Sequence, residues 1–220
     1  MHKTIKNLNY IQNQINSKLL KLNFINYTPK IIAISKTFTI NHILPLIAHG
    51  HRDFGENKVQ EALEKWTEVK NKNKNIKLHM VGKLQTNKVK FVLPLFDFIH
   101  SLDSLKLAKK ISEEQKKHKN KPKIFIQINI GNEPQKSGID KIKLAEFYNE
   151  CINLGLDIVG TMCLPPIDND PDTFFLKMKE ITKILNLKEM SMGMSEDYLK
   201  AIEHSSTYLR IGSKIFGARS

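Results

Sequence analysis

Cysteine is scarce in this 220-residue chain: Cys151 and Cys163 are the two it has. Two cysteines make no disulfide framework, and neither stands in a metal-ligand spacing with a histidine. Cys163 ends the run 158–162 and reads as a small buried hydrophobe. Long apolar runs are missing too, and no stretch reaches the uninterrupted length of a membrane span. The first residues, Met1 to Lys6, lead into polar sequence rather than the apolar core of a signal peptide. The expectation is a soluble cytoplasmic protein. Acidic residues are few, 22 against 35 Lys and Arg, leaving a formal net charge of +13. A field of that sign attracts polyanions and small phosphorylated molecules alike. Aromatic side chains that would stack bases are sparse among the lysines at 70–77 and 106–121, and no RNA-reading or helix-turn-helix pattern accompanies them. Those lysines read as a solvated surface, so nucleic acid is not the expected partner.

What the chain does have is alternation. Ile5, Leu8, Ile15 and Leu19 recur at helical spacing, which predicts a helix over about 3–22. The apolar run 31–35 reads as a strand. A helix over 41–49 is expected next, with Pro45 near its first turn. A strand end at 53–56 precedes a helix at 57–69 that carries Val59, Leu63 and Trp66 on one face. Strands are expected at 78–82, 96–101, 123–130, 157–162, 190–192 and 208–211. Between them lie helical segments at 86–91, from Asp103 as cap to about 117, around Ile142, Ala145, Phe147 and Ile152, at 173–184, and at 195–203 with Glu196 and Asp197 in its first turn. Such alternation builds a parallel sheet with helical crossovers. About eight βα units in a chain of this size fit a compact, single-domain (β/α)8 TIM barrel over residues 1–220. A doubly wound open sheet is the alternative, but no Gly-x-Gly-x-x-Gly follows the first strand.

In such a barrel, function collects at the C-terminal ends of the strands. Lys36 ends the first. An amine held against an apolar wall loses hydration, which disfavours its charge and leaves a lone pair for an aldehyde. Taken alone, Lys36 also suits a side chain that leaves the strand for water. The loops after strands seven and eight are the usual phosphate cradle. Here they hold Gly193 and Gly212, which let backbone amides approach an anion, and the hydroxyls of Ser191, Ser195 and Ser213. Helical turns opening at Ser195 and after Gly212 offer unpaired N–H groups. A ligand with an aldehyde at one end and a phosphate at the other would span Lys36 and this cradle, and pyridoxal 5'-phosphate has both groups. Arg210, beside the pyridine nitrogen, would oppose its protonation and make the ring a poorer electron sink.

Six segments, in order, resemble the YggS/PROSC family of pyridoxal-phosphate-binding proteins: 33–37 around Lys36, 54–61 (Phe54 to Glu61), 79–88 (His79 to Lys88), 127–130 with 136–139, 191–195, and 210–219 from Arg210 to Arg219. The resemblance implies a barrel like the N-terminal domain of alanine racemase and a Schiff base at Lys36. It implies phosphate contacts from Ser191, Gly212 and Ser213, Arg210 facing the ring nitrogen, and Asn57 lining the pocket. Met190, Thr161, Lys83 and Ser213 depart from the residues usual in the family, but none removes the lysine or a phosphate donor. The implied role is vitamin B6 homeostasis: carrying or buffering pyridoxal phosphate without robust catalysis; a monomer, and apo pyridoxal-phosphate enzymes as partners, are separate expectations. The alternative is a racemase-like enzyme. That chemistry needs a second acid or base on the opposite cofactor face. In alanine racemases it comes from a separate β domain, for which this chain has no residues, and nothing singles out His79, His204 or Tyr208 as a substitute.

Overall fold

The structure, a computed structural model, describes residues 1–167 and 169–218. Eight parallel strands close into a barrel in sequence order: β1 Lys30–Ile34, β2 Asp53–Glu56, β3 Lys77–Met80, β4 Phe98–Leu102, β5 Lys123–Ile128, β6 Ile158–Cys163, β7 Glu189–Met194 and β8 Tyr208–Ile211. The barrel closes where β1 pairs with β8, Lys30 opposite Tyr208 and Ala33 opposite Ile211. The helices are α1 Lys3–Lys21, α2 Ile40–Ala48, α3 Val59–Lys72, α4 Val89–Val92, α5 Leu105–Gln115, α6 Leu144–Asn153, α7 Pro171–Ile184, α8 Tyr198–Glu203 and α9 Ser213–Phe216. The expected barrel is therefore the observed one. No helix among the described residues is long and apolar enough to cross a membrane.

Side chains alternate between two cores, as strand geometry requires. Ile31, Ala33, Leu78, Ile99, Ile124 and Leu209 face outward into the layer under the helices. Ile32, Ile34, Phe98, Phe125, Met162 and Tyr208 face inward and fill the barrel. Helix α1 buries Thr4, Leu8, Ile11 and Ile15 on one stripe, and the Asn7 side-chain amide donates to the Ile215 carbonyl at 2.9 Å. The N-terminal helix thus packs on the outside of the barrel, tied to α9.

Several local expectations shift. Pro45 sits in the second turn of α2, because the helix already starts at Ile40. Ser104, not Asp103, caps α5: its hydroxyl accepts from the Leu107 amide. Helix α6 buries Leu144, Phe147 and Cys151, whereas Ile142 is 91% exposed and precedes the helix. Helix α8 starts at Tyr198 rather than Ser195. Asp197 Oδ1 accepts from the Met194 amide at 2.5 Å, which bends residues 194–197 into a turn. Both cysteines are buried, and burial pushes each thiol up to about 12, so they act as core hydrophobes.

Ile15 is wholly buried in the stripe that docks α1. Ile15→Ala is expected to cost about 2–5 kcal/mol, from lost burial plus the cavity left behind. Denaturant unfolding followed by circular dichroism measures it.

Candidate functional site

A cavity of about 670 Å³ opens at the C-terminal ends of the strands, within the usual size of a small-ligand site. Its lining brings together Lys36, Asn57, Arg210, Gly212 and Ser213, all anticipated from sequence. It also holds Ser195, whose hydroxyl was expected in the cradle, and adds Lys136, Phe38, Glu196 and Asp197. Lys36, Lys136 and Arg210 supply its cationic groups.

Lys36 stands two residues beyond β1, half-buried. The backbone on each side of it is fastened. The Ser35 amide donates to the Gly55 carbonyl at 3.0 Å, and the Ser35 hydroxyl donates to Glu56 Oε1 at 2.7 Å. The Lys65 ammonium donates to the Ser35 carbonyl, to Glu56 Oε1 and to Glu61 Oε1 at 2.8–2.9 Å. The indole N–H of Trp66 donates to the same Glu56 oxygen at 2.9 Å. On the other side, the Thr37 amide donates to Glu61 Oε1 at 2.6 Å. Thr37 has φ of +68°, a left-handed conformation that a β-branched residue adopts only under constraint. Burial raises the Glu61 carboxyl, but the Lys65 and Thr37 hydrogen bonds outweigh it and hold the group below its ordinary range.

Asn57 follows β2, directly against Gly82. A Cβ at Gly82 would come within 2.3 Å of the Asn57 carbonyl oxygen, so only glycine lets these two loops meet.

The loops after β7 and β8 do line the cavity together, though not through all the expected residues. Ser191 is fully buried below the cavity, on the inward face of β7. Its hydroxyl lies 2.9 Å from His100 Nδ1 and accepts from Arg210 Nη1 at 2.7 Å. Strand alternation points it into the barrel, and it does not line the cavity. Gly193 does not either. Its φ is +88°, and a Cβ there would lie 2.6 Å from Ala201 Cβ, so the glycine serves the packing of β7 against α8. Ser195 takes the expected place instead. Its Oγ accepts from the Gly212 and Lys214 amides, both at 3.4 Å, which sets a hydroxyl against the start of α9. The sequence signal for Ser195 was present, two positions beyond Gly193. Lys136 had a weaker signal. Its ammonium donates to the Pro165 carbonyl at 3.1 Å, and the loop before it is tied by Asn129 to Glu133.

Arg210 is buried, and burial pushes its guanidinium down. It donates to the Ser191 carbonyl and hydroxyl and, at 2.8 Å, to the Cys163 carbonyl. All three acceptors are neutral, so the charge it presents to the cavity is uncompensated by a direct ion pair among the described residues. Arg219, the last residue of the family-like segments, lies outside the described residues.

The family profile described as alanine racemase, N-terminal domain, matches residues 11–220. A pyridoxal phosphate homeostasis protein of Haemophilus influenzae is 37% identical over 97% of this chain and 95% of its own length. The chain belongs to the pyridoxal phosphate homeostasis protein family. Among solved structures, that of PipY from Synechococcus elongatus with PLP bound superposes with a TM-score of 0.78 at 29% identity, covering 92% of this chain and all of that one. An alanine racemase of Clostridium difficile superposes at 0.72 and 15% identity, over 98% of this chain and 56% of its own, a likeness of fold alone.

Two outcomes test this construction. Lys65 and Glu56 form a buried ion pair at 2.9 Å, so Lys65→Met strands a carboxylate. The expected loss is about 3–5 kcal/mol in denaturant unfolding. Burial also lowers His51, His79 and His100 below their ordinary 6.5. Below that pH the unfolded rings bind protons that the folded rings refuse. Stability should therefore be flat above about pH 7 and fall as pH drops from about 6.5 towards 5, by up to about 1.4 kcal/mol per unit for each ring. Thermal melts across that range measure the slope.

Proposed function

We propose that this protein binds pyridoxal 5'-phosphate in the cavity at Lys36 and serves as a non-catalytic carrier that buffers the cofactor and yields it to apo enzymes. The observation that carries the reading is the meeting of Lys36, Arg210, Gly212 and Ser213 in one cavity. The bound cofactor would supply an aldehyde that condenses with an amine and a ring that withdraws electrons. Lys36 offers the amine, on backbone held by Ser35 and Thr37. Ser195, Ser213 and the amides around Gly212 face the phosphate, where hydroxyls and the start of a helical turn suit an anion. Arg210 would face the ring nitrogen and oppose its protonation, weakening the electron sink that racemisation needs. Asn57 lines the side wall.

Carriage rather than turnover is favoured by what surrounds Lys36. The described cavity-lining residues include neither histidine nor tyrosine to act as a second acid or base, and the other titratable groups around Lys36 and Arg210 are engaged: Lys136 with the Pro165 carbonyl and Glu133, Asp197 with the Met194 amide, and Glu196 with Lys214. His79 and Tyr208 are buried inside the barrel, and His204 is bonded to Asp172 at 2.8 Å. We read the protein as acting as a monomer in the cytoplasm.

Purified protein mixed with pyridoxal phosphate is expected to gain a visible absorption band, and borohydride should fix the label on Lys36. Lys36→Ala should abolish the band and leave weaker, phosphate-anchored binding. Ser195→Ala, with the band retained, should weaken affinity roughly 10–100-fold, as expected for a hydrogen bond to a charged group. Loaded protein incubated with D- or L-alanine should show no sustained racemisation. An unchanged band in Lys36→Ala would refute the assignment.

A further inference from the structure

Four polar side chains cross the barrel interior in single file behind Arg210. Asp53 Oδ1 lies 3.1 Å from His79 Nε2, and His79 Nδ1 lies 2.9 Å from His100 Nε2. His100 Nδ1 lies 2.9 Å from Ser191 Oγ, which accepts from Arg210 Nη1 at 2.7 Å. The two ends have fixed characters: a guanidinium only donates and an ionised carboxylate only accepts. Every bond between them then runs one way. The Ser191 hydroxyl gives to His100 Nδ1, His100 Nε2–H gives to His79 Nδ1, and His79 Nε2–H gives to Asp53. No other arrangement of two neutral rings satisfies each site.

The rings are held in plane by an aromatic frame. His79 stacks on Phe98 at 4.3 Å and 5°, and His100 on Phe125 at 4.2 Å and 12°. Tyr208 stands edge-on to His100 at 6.0 Å and 80°. The far end, Asp53, opens onto a second cavity at the N-terminal end of the barrel, beside Lys30, His49 and His51. The chain therefore joins the two mouths of the barrel. The titratable groups that face it among the described residues are Lys30 and His51 beside Asp53, Asp97 towards His79, Glu189 towards Tyr208, and Cys163 and Asp197 towards Arg210. Burial keeps both imidazoles neutral. Burial raises Asp53, but the His79 hydrogen bond and the Lys30 ammonium act against it, and the carboxyl lies below its ordinary value, ionised.

We propose that Asp53, His79, His100 and Ser191 form a one-way hydrogen-bond relay by which a carboxylate at the N-terminal mouth fixes how Arg210 is held at the cofactor mouth. His79, His100 and Ser191 are positioning residues. With its hydrogen committed to His100, Ser191 turns only lone pairs to Arg210, so the guanidinium is gripped without being neutralised. The relay itself stands on the cofactor-free chain; its consequence for the ring nitrogen rests on the pyridoxal phosphate reading.

Nitrogen-15 histidine NMR of the cofactor-free protein tests it. Wild type is expected to show Nε2–H tautomers at both His79 and His100 at pH 7 to 8. An Nδ1–H tautomer at either ring, or an imidazolium at pH 7, would overturn the proposal without any variant. In Asp53→Asn the amide can present either edge, so both directions open. His100, which Asp53 does not touch, should then gain a measurable Nδ1–H population. A purely structural role would leave His100 unchanged, and that result also overturns the relay. In protein loaded with pyridoxal phosphate, Asp53→Asn should shift the absorption maximum while uptake persists; an unmoved maximum breaks the link to Arg210. Correct tautomers in a protein that never takes up colour would defeat the cofactor reading and leave the relay standing.

Discussion

Pairing of β1 with β8 is the constraint on which the site depends. Lys30 sits opposite Tyr208 and Ala33 opposite Ile211, so the first and last strands share one ladder. Only that closure brings Lys36, just past the end of β1, to Arg210 and to the Gly212–Ser213 turn. The register matters as much as the pairing. Strand side chains alternate with a period of two, so a slip of one residue would turn Ile32 and Ile34 out of the barrel and Arg210 with them. The burial of Ile31, Ala33, Leu209 and Ile211 in the outer core opposes the slip.

The barrel interior is not simply apolar. It carries two histidines, a serine and an arginine, all buried, within a frame of Phe98, Phe125 and Tyr208. A buried polar group without a partner is costly, and each of these has one. The expense of burying them is consistent with a role at the cavity above. A plug of aliphatic side chains would fill the same space with no polar groups to satisfy.

A second buried network, centred on Glu56, acts on the other side of the cavity. One carboxylate oxygen collects donors from Ser35, Lys65 and Trp66. Glu61 adds the bond to Thr37, whose left-handed backbone would not persist unaided. Lys36 thus rises from a short segment pinned from both sides, which suits an amine that must meet a ligand atom at a fixed place. Lys65 is needed twice, as counter-charge to Glu56 and as donor to the Ser35 carbonyl.

Much of this was written in the sequence. The spacing of apolar residues in 3–22 and 31–35, and the alternation after them, determined the barrel, because periodicity reports which face is buried. Lys36, Arg210, Gly212 and Ser213 were legible because each falls just past or at the end of a strand, where such barrels open, and Asn57 through the family resemblance. Ser191 and Gly193 stay out of the cavity lining for a reason of the same kind. Strand β7 runs on to Met194, further than its apolar run suggested, so these residues lie within the barrel wall and Ser195 reaches the cavity in their stead. Ile142 and Ile152 showed that apolar character alone does not fix a buried face. Tertiary structure alone decided the partners: Glu56 with Lys65, and His79 with Asp53 and His100. Local pattern encodes which way a side chain points, but a hydrogen bond between residues 9, 21 or 26 positions apart exists only once the folded sheet has set their separation.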